Sequence, residues 1–175
     1  MIQKIRIVYL LMFVALYGCS FFVGTFLDVN ELEKEQLIKE INKITENIDI
    51  VGIFLHNLGI TFVMFIPGVG VIWGIISAIS TGTAFSVLSA ETSISIHPLM
   101  ALFSTPFGLM EVVSYGIAMS RGTLILLDVV KKKNPIKQIK RIILEIFIVC
   151  ILLLTGAILE ITIMNYAVEI GLEII

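Results

Sequence analysis

Glu111 is the residue in this sequence best placed to do chemistry. It follows Pro106-Phe107-Gly108-Leu109-Met110 and stands in an apolar stretch with no further charge until Arg121. A carboxylate within a bilayer costs about 3 kcal/mol or more unless it is protonated, paired or hydrogen-bonded, so Glu111 needs partners. Tyr115, Ala118 and Gly122 follow it by four, seven and eleven residues, which is one face of a helix. That face should therefore look into a bundle. His56, Asn57 and Arg121 are the candidate intramembrane partners of Glu111. Arg121 lies ten residues further on, about 15 Å along an ideal helix. This spacing directs it towards the end of the span near Asp128 and away from Glu111. Two chemistries fit the group: a hydrogen-bonded staple between helices, or an intramembrane proton or ion site.

Other motifs offer less. Gly70, Gly74, Ser77, Ala78, Thr81 and Gly82 recur at steps of about one helical turn, and Ser86 extends the row. Small residues let helix backbones approach closely in lipid, so packing is the first reading and a hydroxyl-lined cavity the second. His97 before Pro98 reads as a helix cap, and Glu145 and Glu160 read as side chains reaching the interface from either end of the last apolar run. The 2 histidines and 2 cysteines have no metal-ligand spacing. No glycine-rich phosphate loop or nucleophile elbow is present. The sequence therefore implies no catalytic residue, metal or cofactor, and its net charge of −2 gives no nucleic-acid signature.

The elements that must position these residues are membrane spans. The chain is 58% hydrophobic and 15% charged, against about 25% charged in ordinary soluble domains. Several apolar runs approach the roughly 20 residues that cross a bilayer as a helix. The expected fold is all-α: one membrane domain over 1–175, a polytopic bundle of about five transmembrane helices near 5–27, 50–66, 69–88, 106–127 and 142–164. Pro67-Gly68 reads as a tight hairpin between the second and third spans. Residues 98–103 are too short to span and break at Ser104-Thr105-Pro106, so a kinked or re-entrant piece precedes the fourth span. The polar stretch Asp28–Asp49 carries Leu37, Ile38, Ile41, Ile44 and Ile48 at helical spacing, which predicts an amphipathic surface helix over about 30–48 with Asn30 as its N-cap.

Leu16-Tyr17-Gly18-Cys19 loosely resembles a lipoprotein cleavage box. The apolar run continues to Leu27, however, and no small-x-small site follows, so a retained first helix is expected. Lys4 and Arg6 at one end, and the basic segment Lys131, Lys132, Lys133, Lys137, Lys140 and Arg141, fall on the same side of a five-crossing chain. By the positive-inside rule this predicts a multi-pass protein of the cell membrane with a cytoplasmic N-terminus and an extracytoplasmic C-terminus.

Taken in order, His56-Asn57, Pro67-Gly68, the small residues from Gly74 to Gly82, and Pro106-Phe107-Gly108-Leu109-Met110-Glu111 resemble the stage II sporulation protein M family of polytopic membrane proteins. The likeness covers roughly residues 50–125, and the last segment looks like the family's Gly-x-x-Glu element. That family often has histidine before the glycine, where this chain has Phe107. A titratable His–Glu pair is thus not expected here unless His56 or His97 compensates in space. The resemblance implies a non-catalytic membrane scaffold or accessory subunit, associated with lipids and with other membrane or envelope proteins, or forming a homo-oligomer. A transporter component using Glu111 is the alternative expectation.

Overall fold

Uninterrupted apolar residues leave a helix as the way for a single segment to satisfy its own backbone hydrogen bonds in lipid, and the regular elements among the described residues are all helices. The computed structural model describes residues 2–45, 49–92 and 97–169. Within them the order is α1 (Ile2–Gly24), α2 (Glu31–Thr45), α3 (Ile50–Met64), α4 (Gly70–Thr92), α5 (Pro98–Ser104), α6 (Pro106–Val130) and α7 (Ile139–Glu169), with a 3-10 turn at Pro135–Gln138 before α7. Four stretches, Ile5–Gly24, Gly70–Ala90, Pro106–Val130 and Ile139–Tyr166, are long and apolar enough to cross a membrane. The expected second span is shorter: α3 has 15 residues, about 22 Å against a hydrocarbon core of about 30 Å. Its ends explain the length. Asp49 caps one end by accepting the Gly52 amide at 2.7 Å, and Pro67 follows closely at the other.

Sequence punctuation sets the remaining boundaries. Gly68 takes φ +83, a left-handed conformation that glycine adopts without a Cβ penalty, and this turns α3 into α4. Asn30 and Glu33 form a reciprocal capping box at α2: the Glu33 amide donates to Asn30 Oδ1 at 2.9 Å, and the Asn30 amide to Glu33 Oε2 at 3.3 Å. The amphipathic helix anticipated to residue 48 is described to Thr45, and 46–48 lie outside the described residues. The short piece is α5, separated from α6 at Thr105, whose hydroxyl accepts the Gly108 amide at 3.2 Å with Pro106 in the first turn. His97 stands at the start of α5, but its side chain caps nothing. Its ring instead lies against Phe22, with centroids 5.8 Å apart.

The centre of the bundle is α6, which packs against α1, α3, α4, α5 and α7. Phe13, Tyr17, Phe21, Met64, Ala78, Val112, Tyr115, Ala118 and Met119 form the core. The outer faces carry Val8 and Leu11 of α1, Ile72 and Ile76 of α4, and Ile143, Phe147 and Ile151 of α7, all exposed. A belt of that extent is unsustainable in water and is the natural surface of a bundle solvated by lipid. Helices α1 and α4 approach most closely where glycine permits it. A Cβ on Gly82 would overlap the Phe21 carbonyl, and one on Gly24 would overlap the Ile79 carbonyl. The Thr83 hydroxyl donates to the Gly24 carbonyl at 3.0 Å, satisfying a backbone group that the end of α1 leaves open. Gly74 likewise makes room for the Met119 side chain, so the small-residue row of α4 packs helices. Ser77 is half-buried, and its carbonyl accepts the Thr81 hydroxyl at 2.9 Å.

Candidate functional site

Two polar clusters sit inside the bundle, at different levels. The first joins α3 to α6. The Asn57 amide nitrogen donates to Glu111 Oε1 at 2.6 Å, and the Tyr115 hydroxyl donates to Asn57 Oδ1 at 3.2 Å. One orientation of the amide satisfies both bonds, since its nitrogen must face the carboxylate and its oxygen the hydroxyl. Asn57 is 8% exposed and Tyr115 3%. Tyr17 of α1 closes the group, its ring centroid 5.0 Å from that of Tyr115. Local chemistry positions Glu111: the Thr105 cap and Pro106 start α6, and Gly108 lies so near the Leu102 carbonyl that a Cβ would stand 2.5 Å from it. Any larger residue would push α6 off α5 and displace the carboxylate five residues into the helix.

His56 does not join this cluster. It precedes Asn57 by one residue, about 100° around the helix, and is exposed on the outer surface. Arg121 does not meet Glu111 either, as its ten-residue separation implied.

Arg121 belongs to the second cluster, at the end of the bundle that carries the basic loop. Glu145 of α7 forms ion pairs with both Arg6 of α1 and Arg121 of α6. Arg121 Nη1 also donates to Gln138 Oε1 at 2.9 Å, and the Gln138 amide donates to Asp128. Two guanidiniums and two carboxylates thus balance one another across three helices. Arg121 is 1% exposed and its Nη2 has no hydrogen-bond partner among the described residues. The anticipated approach of Arg121 to Asp128 is present, bridged by Gln138. The role of Glu145 was missed: it is a buried acceptor for two arginines rather than a side chain resting at the interface. Its partners lie 24 and 139 residues away, so no local periodicity reveals them. A usable signal did exist. Arg121 and Glu145 flank one short connection at comparable depths, about 13 Å before the end of α6 and about 9 Å into α7.

Comparisons with protein-family models, curated proteins and solved structures found no match. The stage II sporulation protein M likeness therefore rests on the motifs alone. Chemically, the Asn57–Glu111–Tyr115 group offers one carboxylate oxygen bound to an amide and a tyrosine that orients that amide. Among the described residues, no group of histidine, cysteine, aspartate and glutamate side chains is arranged to hold a metal ion.

Proposed function

We propose that this chain is a non-catalytic scaffold or accessory subunit of a larger complex in the cell membrane, resembling stage II sporulation protein M in role. In this reading the N-terminus and the basic loop face the cytoplasm, and α2 faces the extracytoplasmic side. The observation that carries the proposal is the setting of α2. Among the described helices it touches only α4, and it turns Glu31, Glu33, Glu35 and the 67% exposed Leu32 outward. An acidic helix with an apolar residue at the centre of its free face suits a partner that brings basic side chains around an apolar pocket. A photo-crosslinking residue at position 32 should yield one defined protein adduct in intact membranes, and a Glu31/Glu33/Glu35→Gln variant should lose it. Adducts to lipid alone would overturn the assignment of α2.

A second reading is favoured by one specific observation, the Asn57–Glu111–Tyr115 cluster at the break between α5 and α6. Broken helices line ion and substrate sites in transporters, and a carboxylate there could carry a proton or cation. Flux in reconstituted vesicles that Glu111→Gln abolishes, in a protein that still folds, would establish this reading. Flux that survives the substitution would remove Glu111 from it.

A further inference from the structure

We infer that the basic end of the bundle holds a binding site for the phosphate headgroup of an anionic phospholipid, whether or not the protein serves as a scaffold. A cleft of about 690 Å³ opens there, between the start of α1, the end of α6 and the turn leading into α7. That volume lies within the range of small-molecule sites, about 300–1,000 Å³. Its walls have two characters. Ile5 and Leu124 offer apolar surface, Arg6, Lys132, Lys133 and Arg141 supply cations, and the one carboxylate on the wall, Asp128, already accepts the Gln138 amide.

The charges do not cancel. Arg6 and Arg121 are balanced by Glu145 and Asp128 in the network already described. Lys132, Lys133 and Arg141 remain, and none of them is in an ion pair among the described residues. The site therefore keeps three uncompensated positive charges beside an apolar wall, at the level where spans end. A lipid headgroup meets those conditions together: its phosphate answers the cations, and its acyl chains continue along the exposed faces of α1 and α7.

The backbone supplies an independent observation. The Lys132 amide donates to the Val129 carbonyl at 3.0 Å and the Lys133 amide to the Asp128 carbonyl at 2.8 Å, a closure in which glycine normally occupies the left-handed position. Here Lys132 occupies it, at φ 54, a conformation that disfavours any residue with a Cβ. A helix-ending cation already stands one residue earlier, at Lys131, so the helix end does not need a second one at the left-handed position. Lysine at this position instead places a cation on the cleft wall, next to Lys133.

The test compares retention of phosphatidylglycerol and phosphatidylcholine of equal chain length by the purified full chain, using native mass spectrometry across a lipid titration. Phosphatidylglycerol should bind at least fivefold more tightly, and K132G/K133Q should weaken it about twenty-five-fold, at about fivefold per lysine. Lys132→Gly relieves the left-handed strain, so the melting temperature of K132G should equal or exceed that of the parent, which separates lost binding from lost folding. Equal affinity for the two lipids, or unchanged retention in K132G/K133Q, would overturn the proposal. Complete displacement of phosphatidylglycerol by millimolar inorganic phosphate would also overturn it, by showing a free-anion site that makes no use of the apolar wall.

Discussion

Replacing Glu145 by alanine leaves two guanidiniums without their shared carboxylate, and they do not suffer equally. The Arg6 side chain is 30% exposed and can turn towards water at the start of α1. The Arg121 side chain is 1% exposed, has one nitrogen already unpartnered and cannot lose its proton. Removing one member of a buried pair costs about 3–5 kcal/mol, chiefly through the charge left behind. Glu145→Ala should therefore destabilise the bundle by about 3 kcal/mol, with Arg121 setting the size. Replacing both members by leucine removes the stranded charge and keeps the volume, and such exchanges are commonly neutral or favourable. R121L/E145L should thus be more stable than E145A, an inversion that loss of packing does not produce. Unfolding in mixed micelles, followed through the single tryptophan Trp73, measures E145A beside R121L, E145L and R121L/E145L, the last three closing a double-mutant cycle with the parent. A coupling of about 2 kcal/mol or more is expected between the two sites. If each single variant lies within about 0.5 kcal/mol of the parent, or the double variant is no better than the worse single, the buried-pair reasoning fails.

Three further outcomes follow from the same packing. Glu111→Gln keeps an acceptor for the Asn57 amide and should change stability by less than about 1 kcal/mol, whereas Glu111→Leu leaves that amide unsatisfied and should cost about 1–3 kcal/mol; detergent melts of the pair distinguish them. Gly82→Leu forces α1 from α4 and should destabilise by more than about 3 kcal/mol, while Gly59→Leu, where a Cβ meets nothing within 4 Å, should be tolerated; parallel melting curves make the comparison. Cysteines placed at Lys133 and Glu35 should react with an impermeant maleimide from opposite faces of the membrane, and labelling of both from one face would refute the proposed orientation.

Much of the fold was legible because lipid leaves so few options. A long apolar run must be a helix, and Pro67-Gly68 and Thr105-Pro106 punctuate the runs where the backbone turns. The row from Gly74 to Gly82 announced close packing, and Gly82 provides it against α1. The length of α3 was less readable, since Phe65 and Ile66 are as apolar as the helix they follow yet belong to the turn. Within the site, the helical spacing of Glu111 and Tyr115 placed them on one face, and Asn57 was identifiable as a polar residue in need of a partner. His56 was equally polar and equally apolar in its surroundings; only the rotation of α3 distinguishes the two. Glu145 was legible in its depth, opposite Arg121 across a short connection, but not in its orientation. A glutamate six residues into a helix reaches the interface if it faces lipid and becomes a buried acceptor if it faces the bundle, and sequence spacing does not give the rotation of α7 relative to α1 and α6.

The role proposed for this bundle is to hold other proteins in the membrane. Crosslinking in intact membranes, followed by purification in mild detergent and identification of co-purifying chains with their stoichiometry, tests it most directly. One or more membrane or envelope proteins are expected in fixed ratio to this chain, lost on substitution of the acidic face of α2. Recovery of the protein alone, as a monomer or homo-oligomer from crosslinked membranes, would contradict it.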